Sequence, residues 1–196
     1  ILGTIPSIAT AQLSTRSGLE LGLQFSRYSY EEPIFPMKLK GNKGGLTGSY
    51  TLTGNRWFAK ADVRYAYGKL GYGSPPGSGT MKSIPDSNIE TRAVVGWDFF
   101  PNRDISISPY VGWGYRYLFN DLRGHTSTGA VGYRRYSEYW YVPLGITSRI
   151  SANDGWIIVP TFEYDYFIKG KQRSMLTDTN LGLSDANNKQ KRGFGM

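Results

Sequence analysis

Residues 57–69 read WFAKADVRYAYGK, and the spacing within them restricts what the chain can become. Trp57, Ala59, Ala61, Val63, Tyr65 and Tyr67 are apolar or aromatic, whereas Lys60, Asp62 and Arg64 lie between them. Side chains two apart share a face only in an extended chain, so the segment reads as a strand whose faces have opposite chemistry. The period recurs along the sequence. Leu19, Leu21, Leu23 and Phe25 oppose Glu20, Gly22, Gln24 and Ser26; Leu46, Gly48, Tyr50 and Leu52 oppose Thr47, Ser49, Thr51 and Thr53. Ile89 to Phe99, Ile105 to Tyr117, Trp140 to Arg149 and Trp156 to Lys169 alternate in the same way, and an eighth strand begins near Lys189. No segment carries a helical period.

Two kinds of connection alternate between these strands. The short ones are TGNR (53–56), FPNRD (100–104) and SANDG (151–155), built from turn-forming residues. The long ones span 31–44, 69–87, 119–133 and 170–188. In an up-and-down meander this order places every tight turn at one end and every long loop at the other. No run of about 18 apolar residues exists, which excludes a membrane-spanning helix but not a membrane barrel, where only alternate residues face lipid. The chain has no cysteine and one histidine, His125, so the sequence points to no metal site and no cofactor. At the start, ILGTIPSIATAQ is apolar with Ala9-Thr10-Ala11 before Gln12, the form of a signal-peptidase site. Residues 1–11 therefore read as the tail of a truncated signal peptide, and 12–196 as one barrel domain whose last strand is incomplete.

Volume decides which face looks inward. Eight strands enclose only enough space for side chains to fill. The bulky face carries Trp57, Trp97, Trp113, Trp140 and Trp156 with many tyrosines, too much for that space, while the other face mixes charges with Gly22, Gly68, Gly96, Gly112, Gly114 and Gly145. The expected fold is thus all-β, an eight-stranded antiparallel up-and-down transmembrane β-barrel with charges inside and aromatics facing lipid. Trp57, Phe99 and Trp156 fall beside the short turns. Tyr65, Tyr67, Tyr115, Tyr117, Trp140 and Tyr166, together with Tyr28, Tyr30 and Tyr139, fall beside the long loops, giving two interfacial aromatic rows.

The alternating segments, the tight and long connections and the signal-like start resemble the eight-stranded outer-membrane barrels of the opacity-protein and OmpA/OmpX type. The resemblance spans 12–196 and rests on pattern, with SPYVGWGYRYL and FEYDYFIKGKQ as its most familiar stretches. It implies the outer membrane of a Gram-negative bacterium and a cell-surface protein. Members usually end in an aromatic residue, whereas this chain ends QKRGFGM.

Three constellations carry the functional expectations. Glu20, Lys60, Asp62, Arg64, Glu90, Arg92, Asp98, Arg116, Arg149, Glu163 and Asp165 share the inner face, and buried charges must pair. They read as a salt-bridged plug, or alternatively as the lining of a narrow gated pore. The net charge is +8, and Lys69, Lys82, Arg134, Arg135, Lys171 and Arg173 lie in or beside the long loops, as do Lys38, Lys40 and Lys43. There they suit lipopolysaccharide phosphate or an external macromolecular ligand. Nucleic acid fits poorly with aromatics that alternate along strands. Last, His125 and Ser127 with Glu138 form a His-x-Ser spelling that resembles lipid A deacylases, although the residues around it do not match. The preferred reading is a non-enzymatic, monomeric surface protein in contact with outer-membrane lipid and lipopolysaccharide.

Overall fold

The computed structural model describes residues 13–32, 37–74, 77–152 and 155–195. The signal-like segment 1–11 lies outside the described residues. Six long strands follow in order: β1 Gly18–Glu32, β2 Met37–Thr53, β3 Trp57–Ser74, β4 Gly79–Trp97, β5 Ile105–His125 and β6 Val131–Ser151. Then come β7 Ile157–Ile158, β8 Thr161–Ser174, a 3-10 turn at Leu176–Thr179, β9 Ala186–Gln190 and β10 Phe194–Gly195. Each long strand pairs antiparallel with the next, in the order β1-β2-β3-β4-β5-β6-β8, with β7 on β6 and both β9 and β10 on β8. The up-and-down meander is the one the period-two segments predict.

The structure departs from the expected barrel in its closure, in its last two strands and in the length of its strands. Among the described residues no pairing joins β1 to β9 or β10, so the sheet is open, not a closed eight-stranded cylinder. The last strand starts at Ala186, earlier than Lys189, and is split; residues 191–193 face the stretch of β8 where Ile168 bulges out of register with β6. A bulge bends its strand and interrupts the neighbouring ladder. The segment expected as one strand from Trp156 is also divided, at Pro160, which has no N–H to give, although its carbonyl still accepts from the Ser148 amide at 2.9 Å.

The third departure is the length of the strands. Much of what reads as long loop is paired backbone: β2 begins at Met37, β3 continues to Ser74, β5 to His125 and β8 to Ser174. Here the polarity of the faces is exchanged. Lys38, Lys40, Lys69 and Lys82 point outward, while Met37, Leu39, Leu70 and Ile84 form a buried apolar cluster on the inner face. The outward apolar stripe that marks a strand in the sequence ends, yet the hydrogen-bond ladder does not.

Inner-face glycines make room for inward tyrosines. A Cβ at Gly114 would collide with the Tyr141 ring, and one at Gly145 with the Tyr110 ring. These are the close approaches that justify glycine inside a strand. Outward-facing Gly48 is different, since a Cβ there would meet Leu21 at 3.5 Å and Val63 at 3.8 Å, ordinary contact distances. Gly114→Val is expected to destabilise the folded protein by about 1–3 kcal/mol through overpacking, and Gly48→Val to stay within about 0.5 kcal/mol of the parent. Guanidinium unfolding of the two variants side by side checks this; equal losses would mean that Tyr141 does not occupy the space above Gly114.

Candidate functional site: the charged inner face

All eleven predicted inner-face charges lie on the inner parity of their strands, which on β8 holds up to the bulge at Ile168 and reverses beyond it. Each takes part in an ion pair. Arg92 on β4 donates from Nε to Asp62 of β3 at 3.0 Å and from Nη1 to Glu163 of β8. Arg116 on β5 binds Glu90 at 2.7 Å and approaches Asp165 at 3.7 Å. Arg64 lies 3.4 Å from Asp62 and 3.9 Å from Glu90, and Lys60 meets Glu20 at 2.9 Å. Arg149 stands 3.9 Å from Asp98 and donates to Ser108 Oγ at 3.0 Å. The Arg92–Glu163 contact reaches from β4 to β8 past two intervening strands, so the sheet is strongly curled.

The sequence puts Tyr110 and Tyr141 on this face without giving them a task. In the structure Tyr110 donates to Glu163 Oε2 at 2.6 Å and Tyr141 donates to Glu90. Two further groups were not foreseen. Lys43, expected among the loop cations, is wholly buried; it pairs with Asp86, donates to Asn88 Oδ1 at 3.2 Å and sits 4.4 Å above the Tyr28 ring. Its parity with Thr47, Ser49 and Thr51 was the signal that could have found it. At the turn end, Asp98 accepts from the Thr15 amide at 2.7 Å, the Thr15 hydroxyl at 2.9 Å and Ser108 at 2.6 Å. That cluster ties the segment before β1 to the start of β5.

The outer face is its complement. Trp57, Phe99 and Trp156 are exposed at the turn end; Tyr65, Tyr67 and Tyr166 are exposed toward the other end. Tyr115, Tyr117 and Trp140 also face outward but are half-buried by one another and by Tyr136, with Tyr115 and Trp140 4.5 Å apart between ring centres. Tyr28, Tyr30 and Tyr139 do not belong to this row. Tyr28 and Tyr30 continue the parity of Glu20 and Gln24 and pack inward, and Tyr139 lines a recess with Arg116 and Asp165.

The six loop-side cations separate by geometry. Lys69, Lys82 and Lys171 are exposed and form no ion pair among the described residues. Arg134 is clamped by Asp178, with Nε–Oδ2 at 2.9 Å and Nη2–Oδ1 at 2.7 Å, and Arg173 pairs with Asp185 at 3.1 Å. Arg135, next to Arg134 and so on the opposite face, points inward. The His125, Ser127 and Glu138 set is not assembled. Ser127 bonds to Thr80, and Glu138 sits opposite Tyr117 on the ladder, seven positions along β6 from Val131, the partner of His125. Among the described residues no cluster of acids and histidines could hold a metal ion.

In comparisons with known proteins, no family model, no curated protein and no solved structure matches the chain.

Two outcomes follow from the charge geometry. Arg92→Met leaves Glu163 without a cation and Asp62 with Arg64 alone at 3.4 Å, and a loss of about 3–5 kcal/mol is expected. The triple variant Asp62→Leu, Arg92→Met, Glu163→Leu recovers most of it; guanidinium unfolding that showed equal losses would mean the pairing carries no weight. In the 3-10 turn after β8, the Asp178 carboxyl is held down to about 2, against an ordinary 3.8, chiefly by the Arg134 side chain of β6. A depressed carboxylate pKa stabilises above its ordinary range, so the 3-10 turn is held at neutral pH and released as pH falls through about 2. The Arg134 amide, which donates to Asp178 Oδ2 at 3.0 Å, reports this by its NMR shift. A midpoint at or above the ordinary value would contradict the clamp.

Proposed function

We propose that the chain forms an eight-stranded barrel in the outer membrane of a Gram-negative bacterium, with a sealed lumen, and works at the cell surface in a structural or contact role through its loop-side end. The observation that carries this reading is the inverted polarity of the sheet. Leu23 is 89% exposed and Phe162 80%, while Asp86 is 0%, Lys43 2% and Glu90 6% exposed. Burying a large apolar side chain is worth about 1.5–3 kcal/mol. Leaving Leu19, Leu21, Leu23, Phe25 and Phe162 in water therefore makes little sense, whereas a hydrocarbon surround accounts for all of them.

The dimensions agree. From Trp57 to Tyr67 on β3 is ten residue steps, about 33 Å along a strand at about 3.3 Å per residue. At the roughly 40° tilt of outer-membrane barrels this spans about 25 Å, the height of their apolar band. Beyond it the outward face becomes Lys69, Lys38 and Lys82, as it would in the headgroup region and the water outside. Lys69, Lys82 and Lys171 are the cations free to meet lipopolysaccharide phosphate, and the resemblance to opacity-type and OmpA/OmpX-type barrels points the same way. Closure would join the edge of β1 to the free edge of the split eighth strand, β9 and β10.

The cross-lumen contacts favour a sealed structure over a channel. Arg92–Glu163 reaches over two strands, and Arg116–Asp165 and Lys43–Asp86 each over one, at successive levels of the inner face, and eight strands leave no open bore. Fractionation followed by SDS gels of boiled and unboiled protein tests the proposal. An outer-membrane band that migrates faster unboiled, with no discrete steps in planar bilayers, is the expected result. A soluble protein without a heat-dependent shift would overturn the membrane assignment, and steady conductance altered by Arg92→Gln would overturn the seal.

A further inference from the structure

At the loop-side mouth of the curled sheet lies a cavity of about 770 Å3, a size typical of small-molecule sites. Strands β1 to β6, β8 and β9 contribute to its wall. Its floor is apolar: Tyr72, Met81 and Leu122 pack on the buried cluster that contains Met37. Gln172 and Gln190 supply part of a polar wall and bond to each other at 3.4 Å.

The charge in this cavity is one-sided. Arg135 is the sole Lys, Arg, Asp or Glu among the described residues that line it. Lys43, Lys60, Arg64, Arg92, Arg116 and Arg149, the other inner-face cations, all have carboxylate partners; Arg135 has none among the described residues. Its guanidinium reaches the Tyr133 hydroxyl at 3.4 Å, a long contact, and its buried Nε has no hydrogen-bond partner among the described residues. A buried cationic donor with no acceptor is costly and is satisfied best by an anion. The turn-side cavity, of about 650 Å3, differs in that its inner-face cations Lys60, Arg92 and Arg149 are already paired.

The geometry points to a binding site for an amphipathic carboxylate, such as a free medium-chain fatty acid. The carboxylate takes the Arg135 guanidinium in bidentate fashion, with Tyr133 as a second donor, and the acyl tail lies across Met37, Met81 and Leu122. The site depends on the curl of the sheet and not on where the protein resides, so it stands or falls separately from the membrane assignment.

Methyl-labelled methionine in the full-length folded protein reads the site directly, because Met37 and Met81 lie in it and Met175 lies outside it. Titration with octanoate is expected to shift the Met37 and Met81 methyls saturably and leave Met175 in place. Arg135→Gln is expected to weaken the apparent affinity about ten-fold or more, with the remaining spectrum unchanged. Octylammonium, which has the same tail and the opposite charge, serves as a control that needs no variant; it is expected to leave both methyls unmoved. Unsaturable shifts at all three methionines, an affinity unchanged by Arg135→Gln, or equal shifts with octylammonium would each overturn the assignment.

Discussion

Arg92 lies between Asp62 and Glu163 and so joins β3, β4 and β8 across the interior. A charge taken from water needs partners on every side where it can hydrogen-bond, and in a sheet those partners must come from neighbouring strands and from the far wall. The sheet has to curl to bring β8 to β4. Register is fixed by the same demand: a slip of one residue would turn Arg92, Arg116 and Asp62 outward and bring Trp113 and Val63 inward. Tyr110 and Tyr141 add donors to Glu163 and Glu90, and they fit because Gly145 and Gly114 leave space below their rings. Charge, aromatic ring and glycine form one packed unit.

Each strand has two regimes along its length. In the turn-side half, apolar residues look outward and charges inward; in the loop-side half, lysines look outward and Met37, Leu39, Leu70 and Ile84 close on one another. The second arrangement is the ordinary one for a sheet in water, the first for a sheet in an apolar medium. One continuous ladder therefore carries two opposite polarities, and the change falls near Tyr67 on β3. Above it the interior opens into the cavity that holds Arg135, and below it the ion pairs occupy the inner face.

Several misjudged residues trace to this change of phase. MKLK at 37–40 alternates as clearly as GLELGLQFS, but its apolar members lie inward, so a search for outward stripes passes over it and reads a loop. Lys43 was assigned to that loop and is instead the most deeply buried lysine, with Asp86 beside it. Tyr28 and Tyr30 carry the aromatic character of the interfacial row but the parity of the interior. Arg134 and Arg135 are adjacent in sequence and diverge to opposite faces, one into the Asp178 clamp and the other into the cavity.

The sequence alone determined the strands of the turn-side half, their antiparallel order and the face each residue takes, because a period of two leaves no freedom once one face is known. It also placed eleven charges on the inner face by that parity, while missing Lys43, Asp86 and Arg135. The pairing among them was decided only by tertiary structure: Arg92 chooses Glu163 because curvature brings β8 opposite β4, and no local spacing encodes a distance across a lumen. The unpaired state of Arg135 has the same origin. Its parity places it inside, but the lack of an acid within reach among the described residues depends on which strands surround the mouth.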